Sequence, residues 1–221
     1  MKKTKIFIAC DTTNLVKVKK IINQSKTNKI KIGYKFGLEF MNSKNGRTFL
    51  AKLRKKIIFV DLKLNDTVNT MLSAVKALKD IKINYLTVHI SSGLAALKAV
   101  KKISGPTRIV GVTTLTSLNN NDLKLIGYNK SVKNLVAHQA KLAKKANLDA
   151  LVCSPYEVNA VRKIFKKEII TPGVQIGKRN YDQKRSMEAK KVESDWLVIG
   201  RAITARGNIK KNIQNLVKEL R

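Results

Sequence analysis

Eight short apolar runs rich in β-branched residues recur along the chain, and helix-length stretches of mixed polar and apolar residues lie between them. The runs cover residues 6–11, 30–33, 57–63, 85–90, 109–115, 150–154, 169–174 and 196–203. The amphipathic stretches cover 12–24, 36–54, 67–79, 93–103, 132–146, 156–165, 183–191 and 209–220. Strands buried on both faces need near-continuous apolar runs, so this pattern favours a parallel α/β sheet over a sandwich. Eight strand–helix pairs close naturally into a (β/α)8, or TIM, barrel, and 221 residues lies near the lower limit for that fold. One α/β domain spanning 1–221 is the expectation, with lean loops and little room for a separate cofactor domain.

Charge is the most conspicuous feature of the composition, with 46 Lys and Arg against 14 Asp and Glu and a net charge of +32. The basic residues are spread through every segment, and the aromatics, at 5%, do not interleave with them as a stacking platform for nucleic acid would require. A solvated surface follows, whose positive field would raise the encounter rate of an anionic substrate at low salt. Cys10 and Cys153 lie far apart inside apolar runs, which suggests buried thiols in a reducing cytoplasm rather than a disulfide framework or a CxxC metal site. The apolar start, Ile6 to Cys10, stops at Asp11, too short for an export signal, and no run approaches the roughly 18 residues of a membrane span. A cytoplasmic protein with neither a membrane nor a nucleic-acid partner is therefore expected.

A barrel carries its chemistry at the carboxyl ends of its strands. There the chain places Asp11, Lys31, the segment from Asp61 to Thr67, His89, Thr116-Ser117, Pro172-Gly173 and Gly200-Arg201. Acidic residues are scarce, so aspartates at strand ends are hard to explain as solvated decoration. Side chains alternate along a strand, so Asp61 and Lys63 point to the same side. On spacing alone, an ordinary ion pair capping the strand accounts for them as well. The additional Asp66 and the separate Asp11 and Lys31 favour an alternating Lys–Asp–Lys–Asp array, which is expensive to hold together and by default hints at function. His89 reads as a structural hydrogen-bonding residue rather than a metal ligand, because no second histidine or carboxylate stands at ligand spacing beside it. His138 is expected to be exposed or packed, and Trp196 to belong to the core.

The order and spacing of these motifs carry a resemblance over nearly the whole chain. They are Ala9-Cys10-Asp11, Lys31-Ile32-Gly33, the DxKxxD pattern Asp61-Lys63-Asp66 with Asn69-Thr70 after it, Thr87-Val88-His89, and Val112 to Ser117. Further on stand Thr171-Pro172-Gly173-Val174, Asp182-Gln183-Lys184-Arg185, and Val198 to Thr204. In this set the chain resembles the orotidine 5'-monophosphate decarboxylase family. The resemblance implies a homodimeric barrel with shared active sites that needs neither metal nor cofactor and makes UMP from its nucleotide substrate. By position, Lys63 is then the general acid that protonates C6 of the pyrimidine once CO2 has left. Asp61 would sit beside the substrate carboxylate, Asp11 and Lys31 would hold ribose hydroxyls and orient the charges, and Asp66 and Thr67 would reach the partner's site. Thr116 would contact the pyrimidine, and Gly200 and Arg201 the phosphate, with Gln183 donating from a loop that closes over the substrate. One departure stands out. Gln175 occupies a place where the family usually has an arginine, so that phosphate contact is either missing or supplied by Lys178 or Arg179. Sugar-phosphate relatives such as keto-gulonate phosphate decarboxylase and hexulose-phosphate synthase also have an Asp-x-Lys-x-x-Asp strand but use Mg2+. Asn65-Asp66, Leu115-Thr116-Ser117 and residues 182–185 favour the nucleotide enzyme.

Overall fold

A computed structural model of the chain describes residues 5–175, 187–205 and 207–220. All eight expected runs contribute strands to one closed parallel barrel. They are β1 (Lys5–Ala9), β2 (Ile32–Gly37), β3 (Ile57–Leu64), β4 (Tyr85–His89), β5 (Arg108–Val112), β6 (Ala150–Val152), β7 (Glu168–Thr171) and β10 (Trp196–Ile199). β10 closes the ring between β7 and β1, and a separate two-stranded pair, β8 (Val174–Gln175) with β9 (Met187–Glu188), lies between β7 and β10 in sequence.

The helices are α1 (Leu15–Gln24), α2 (Leu38–Met41), α3 (Gly46–Lys52), α4 (Val68–Ala77), α5 (Gly93–Ile103), α6 (Asn120–Leu125), α7 (Val132–Lys145), α8 (Val158–Ile164), α9 (Arg201–Thr204) and α10 (Ile209–Glu219). Local signals start several of them. Asn14, Asn119, Ser131 and Asn208 each accept a backbone N–H of the first turn that would otherwise lack a partner. α7 then buries Val132, Leu135, Val136, Gln139, Ala140 and Ala143 on one face. No helix among the described residues is long and apolar enough to cross a membrane.

Several expected boundaries move. The second strand runs from Ile32 to Gly37 rather than over 30–33, so Phe36 belongs to the sheet and the expected helix 36–54 becomes α2 and α3. Phe36 packs on Phe40 with ring centroids 4.7 Å apart, and the chain turns so tightly between the two helices that a Cβ on Gly46 would lie 1.9 Å from the Phe40 carbonyl oxygen. The seventh strand stops at Thr171 before Pro172, and the eighth stops at Ile199, after which Gly200 starts α9. α6 was not expected; Asn119 and Asp122 form a reciprocal capping box that holds its first turn. The expected helix 183–191 falls partly outside the described residues, and Met187–Glu188 and Ala189–Lys191 form β9 and a 3-10 turn.

Inside the barrel, Phe7, Phe59, Tyr85, Val110, Ala150, Ile170 and Trp196 form a packed layer, with Phe7 stacked on Trp196 at 4.0 Å. Gly33 makes this layer possible, since a Cβ there would stand 2.5 Å from the Phe7 ring. Below it, at the amino-terminal end of the strands, Glu168 accepts from Lys5 at 2.7 Å and from Tyr85 and Arg108 at 2.8 Å. That end is closed by aromatics and a satisfied ion network, which leaves the carboxyl ends as the face open for chemistry.

Candidate active site

A cavity of about 360 Å³ opens at the carboxyl ends of the barrel strands, lined by Asp11, Lys35, Asp61, Lys63, Thr116, Gly200 and Arg201 together with Phe59, Val112, Val152, Pro172 and Val198. Four charges alternate in it. Lys35 Nζ donates to Asp11 Oδ1 at 3.0 Å and lies 3.5 Å from Asp61 Oδ2, and Lys63 Nζ donates to both Asp61 oxygens at 3.0 Å. Thr87 Oγ1 donates a further bond to Asp61 Oδ1, also at 3.0 Å.

Burial acts against the charges of Asp61 and Lys35, and their neighbours decide the outcome. Burial alone would raise Asp61, but the Lys35 and Lys63 ammonium groups hold its carboxyl below the usual range. Burial alone would lower Lys35, but Asp61 and then Asp11 hold it above the usual lysine value. Both groups are therefore charged at neutral pH. The part of the fold's stability that comes from the depressed Asp61 is present above the unfolded carboxylate value and is lost as pH falls through the folded one. Cys10, behind the array, is pushed up to about 12, first by burial and then by Asp11, against the pull of Lys35. It is a packed thiol, not a nucleophile.

Lys63 does not reach its position by plain alternation. Val60 pairs with Leu86 and Leu64 with Val88, so β3 bulges between them, and Lys63 sits in the left-handed region with φ +50°. For a lysine this conformation is strained by about 1–3 kcal/mol, a cost met at sites where the surroundings over-determine the backbone. Here Thr87 Oγ1 accepts the Lys63 backbone N–H at 2.7 Å.

The expected site residues separate into two groups. Asp11, Asp61, Lys63, Thr116, Gly200 and Arg201 meet at the cavity. Lys31 does not. It is exposed and precedes β2, and its carbonyl accepts the Ile6 N–H at the opposite rim of the barrel. The array lysine on this strand is Lys35, which pairs in register with Ala9 and Phe59. Asp66 and Thr67 are exposed and do not line the cavity; Asp66 Oδ1 accepts the Thr67 N–H at 2.7 Å, and Thr67 shares a 3.0 Å bond with the Thr70 hydroxyl. That backbone bond is the main influence lowering the Asp66 carboxyl. Gln175 pairs with Glu188 through the backbone, while Gln183, Lys178 and Arg179 lie outside the described residues.

Lys35 and Thr87 were missed by sequence reasoning. Alternation puts Lys35 on the face of Gly33, which packs on Phe7 inside the barrel, but it gives position 31 the same parity, so only the register of β2 separates the two lysines. Thr87 stands in the Thr87-Val88-His89 motif, but nothing in the sequence gave it a role of its own. His89 Nδ1 shares a 2.7 Å bond with Ser91 Oγ, which donates to Asn65 Oδ1 at 3.3 Å. Burial and then the charge of Lys63 lower the His89 imidazole, which fits its expected structural role. His138 is exposed on α7, and Trp196 is in the core. Among the described residues, no three His, Cys, Asp or Glu side chains gather as a metal site.

The family model described as "Orotidine 5'-phosphate decarboxylase / HUMPS family" matches residues 4–216. The chain is 37% identical to the orotidine 5'-phosphate decarboxylase of Wolbachia pipientis subsp. Culex pipiens (strain wPip), over 97% of this chain and 98% of the relative. It is 41% identical to that of Sphingopyxis alaskensis, over 78% of this chain and 80% of the relative. Among solved structures, the orotidine 5'-phosphate decarboxylase from Lactobacillus acidophilus superposes with a TM-score of 0.83 at 27% identity, covering 98% of this chain and 99% of the other.

Proposed function

This chain belongs to the orotidine 5'-phosphate decarboxylase / HUMPS family, and we propose that its charged array decarboxylates orotidine 5'-monophosphate to UMP and CO2 with Lys63 as the proton donor. The observation that carries the reading is the Lys63 ammonium bonded to both oxygens of Asp61 at the mouth of the barrel. The substrate carboxylate sits next to Asp61. As the C6–CO2 bond breaks, its electron pair stays on C6, and the Lys63 ammonium stabilises that charge and delivers a proton to form C6–H. Water then returns a proton to Lys63. Charge aimed at the transition state is usually the largest catalytic term, so stabilisation by Lys63 carries more of the rate than repulsion by Asp61.

Asp11 and Lys35 hold the ribose hydroxyls, and Thr116 contacts the pyrimidine. Gly200 allows close backbone approach, and Arg201 offers a planar fork to the phosphate. Gln183, which the resemblance assigns to the phosphate end, lies outside the described residues, as do Lys178 and Arg179, the alternatives to the arginine that Gln175 replaces. The phosphate is remote from the reacting carbon, so its binding energy serves to align the charges. Asp66 and Thr67, exposed and outside the cavity lining of their own subunit, complete the partner's site in a cytoplasmic homodimer with no nucleic-acid partner. The single domain spans 1–221, and the reaction needs neither metal nor cofactor.

Two measurements check this reading. Loss of the orotidine monophosphate absorbance on adding the enzyme should proceed at the same rate after exhaustive chelation. Activity that vanishes with chelator and returns with Mg2+ moves the assignment to the sugar-phosphate relatives. Lys35 on β2 and Lys31 just before it give a sharper contrast. Lys35→Ala should lower kcat/KM by about 10²-fold or more, since it leaves Asp11 and Asp61 facing each other without their shared cation. Lys31→Ala, an exposed change, should stay within roughly twofold of the parent. The reverse ranking would return Lys31 to the site.

A further inference from the structure

The geometry points to Thr87 as a positioning residue for the proton donor: its buried hydroxyl holds Lys63 in the left-handed conformation and thereby aims the ammonium at Asp61. This inference rests on the reading of Lys63 as the donor. Two features of the β3 distortion and the bonds of the Thr87 hydroxyl support it. The register between β3 and β4 breaks across Val60 to Leu64, so the Lys63 N–H lies in the interval where the regular ladder fails. Lys63 has φ +50°, a conformation that Cβ disfavours, so something outside its own backbone must keep it there. Thr87 supplies it: Oγ1 accepts the Lys63 N–H at 2.7 Å and donates its one proton to Asp61 Oδ1 at 3.0 Å.

One hydroxyl therefore ties the backbone of the lysine to the carboxylate that its side chain must meet. Thr87 is 0% exposed, so water does not readily take over either bond. A β-branched side chain on a strand also has little freedom at χ1, which makes it a stiff mount for such a link. Thr87 does not line the cavity and so acts through Lys63 and Asp61 without touching substrate.

The test compares Thr87→Val, which keeps the shape and removes both bonds, with Thr87→Ser, which keeps the hydroxyl and removes the methyl. With orotidine 5'-monophosphate, the valine variant should lose about 10²-fold in kcat, as expected for a misplaced catalytic group, with KM within roughly threefold of the parent. The serine variant should remain within roughly threefold of the parent in both. Crystals of the valine variant should show Lys63 out of the left-handed region, or its Nζ no longer bonded to both Asp61 oxygens. Thr87→Ala serves the same comparison if the valine protein does not fold. Parental kcat in the valine variant, equal losses in valine and serine variants, or an unmoved Lys63 would each overturn the role of Thr87. A parent with no decarboxylase activity would instead overturn the substrate reading, and the crystal comparison would still decide whether Thr87 holds Lys63.

Discussion

Lys63→Ala is expected to yield a folded barrel whose turnover of orotidine 5'-monophosphate falls by on the order of 10⁴-fold or more, because one ammonium group serves both as acid and as partner of the developing carbanion. The fold should survive the change. Asp61 keeps its bond from Thr87 and its ion pair with Lys35, so the buried carboxylate is not stranded. The loss in stability should be about 1–2 kcal/mol, a few degrees in Tm for a chain of this size. Substrate binding should weaken too. Asp11, Lys35, Asp61 and Lys63 balance as two cations and two anions, and without Lys63 the remaining array is net negative where an anionic substrate must enter. Kinetics and a thermal melt on the same preparation check both parts. A rate close to the parent would remove Lys63 as the acid, and a protein that fails to fold would make its role structural.

The second large effect concerns Asp66. Its side chain is exposed and absent from the lining of its own subunit's cavity, so if it takes part in catalysis it does so across an interface. In the proposed homodimer, the Lys63→Ala and Asp66→Ala proteins should each be nearly inactive. Mixed under conditions that allow subunit exchange, they form hybrids in which one site carries both defects and the other carries neither. With random exchange half the dimers are hybrids with one sound site of two, so about a quarter of the parental activity should return. The geometry of the DxKxxD segment supports the idea. Asp61 and Lys63 lie on β3, whereas Asp66 follows it, where the chain turns into α4. An unrestored mixture, with exchange demonstrated independently, would sink the shared site and return Asp66 to its own subunit.

Much of the site was legible because its chemistry is local. Asp11 and Asp61-Lys63 follow apolar strand runs, and Gly200-Arg201 follows another, so knowing that a barrel works at its carboxyl ends was enough to bring them together. Lys31 was assigned wrongly for a reason that alternation cannot repair. Positions 31 and 35 have the same parity and face the same side of a strand, and only their height along the barrel differs, by about 13 Å at strand rise. That height is set by pairing with the neighbours, Ala9 beside Lys35 and Phe59 beyond it, which are distant in sequence.

By itself the sequence determined the class of architecture. Eight apolar runs separated by amphipathic stretches have to bury their strands on both faces, and a closed ring of eight does so without leaving an edge. It also determined the chemical alphabet of the site, lysines alternating with aspartates in a chain poor in acids. Tertiary structure alone decided which lysine enters the array, where β3 bulges to put Lys63 into a left-handed turn, and that Thr87 ties that turn to Asp61. These depend on register and close packing between strands far apart in the chain, and the hydrophobic pattern of any one segment says which side a residue faces but not which partner it meets.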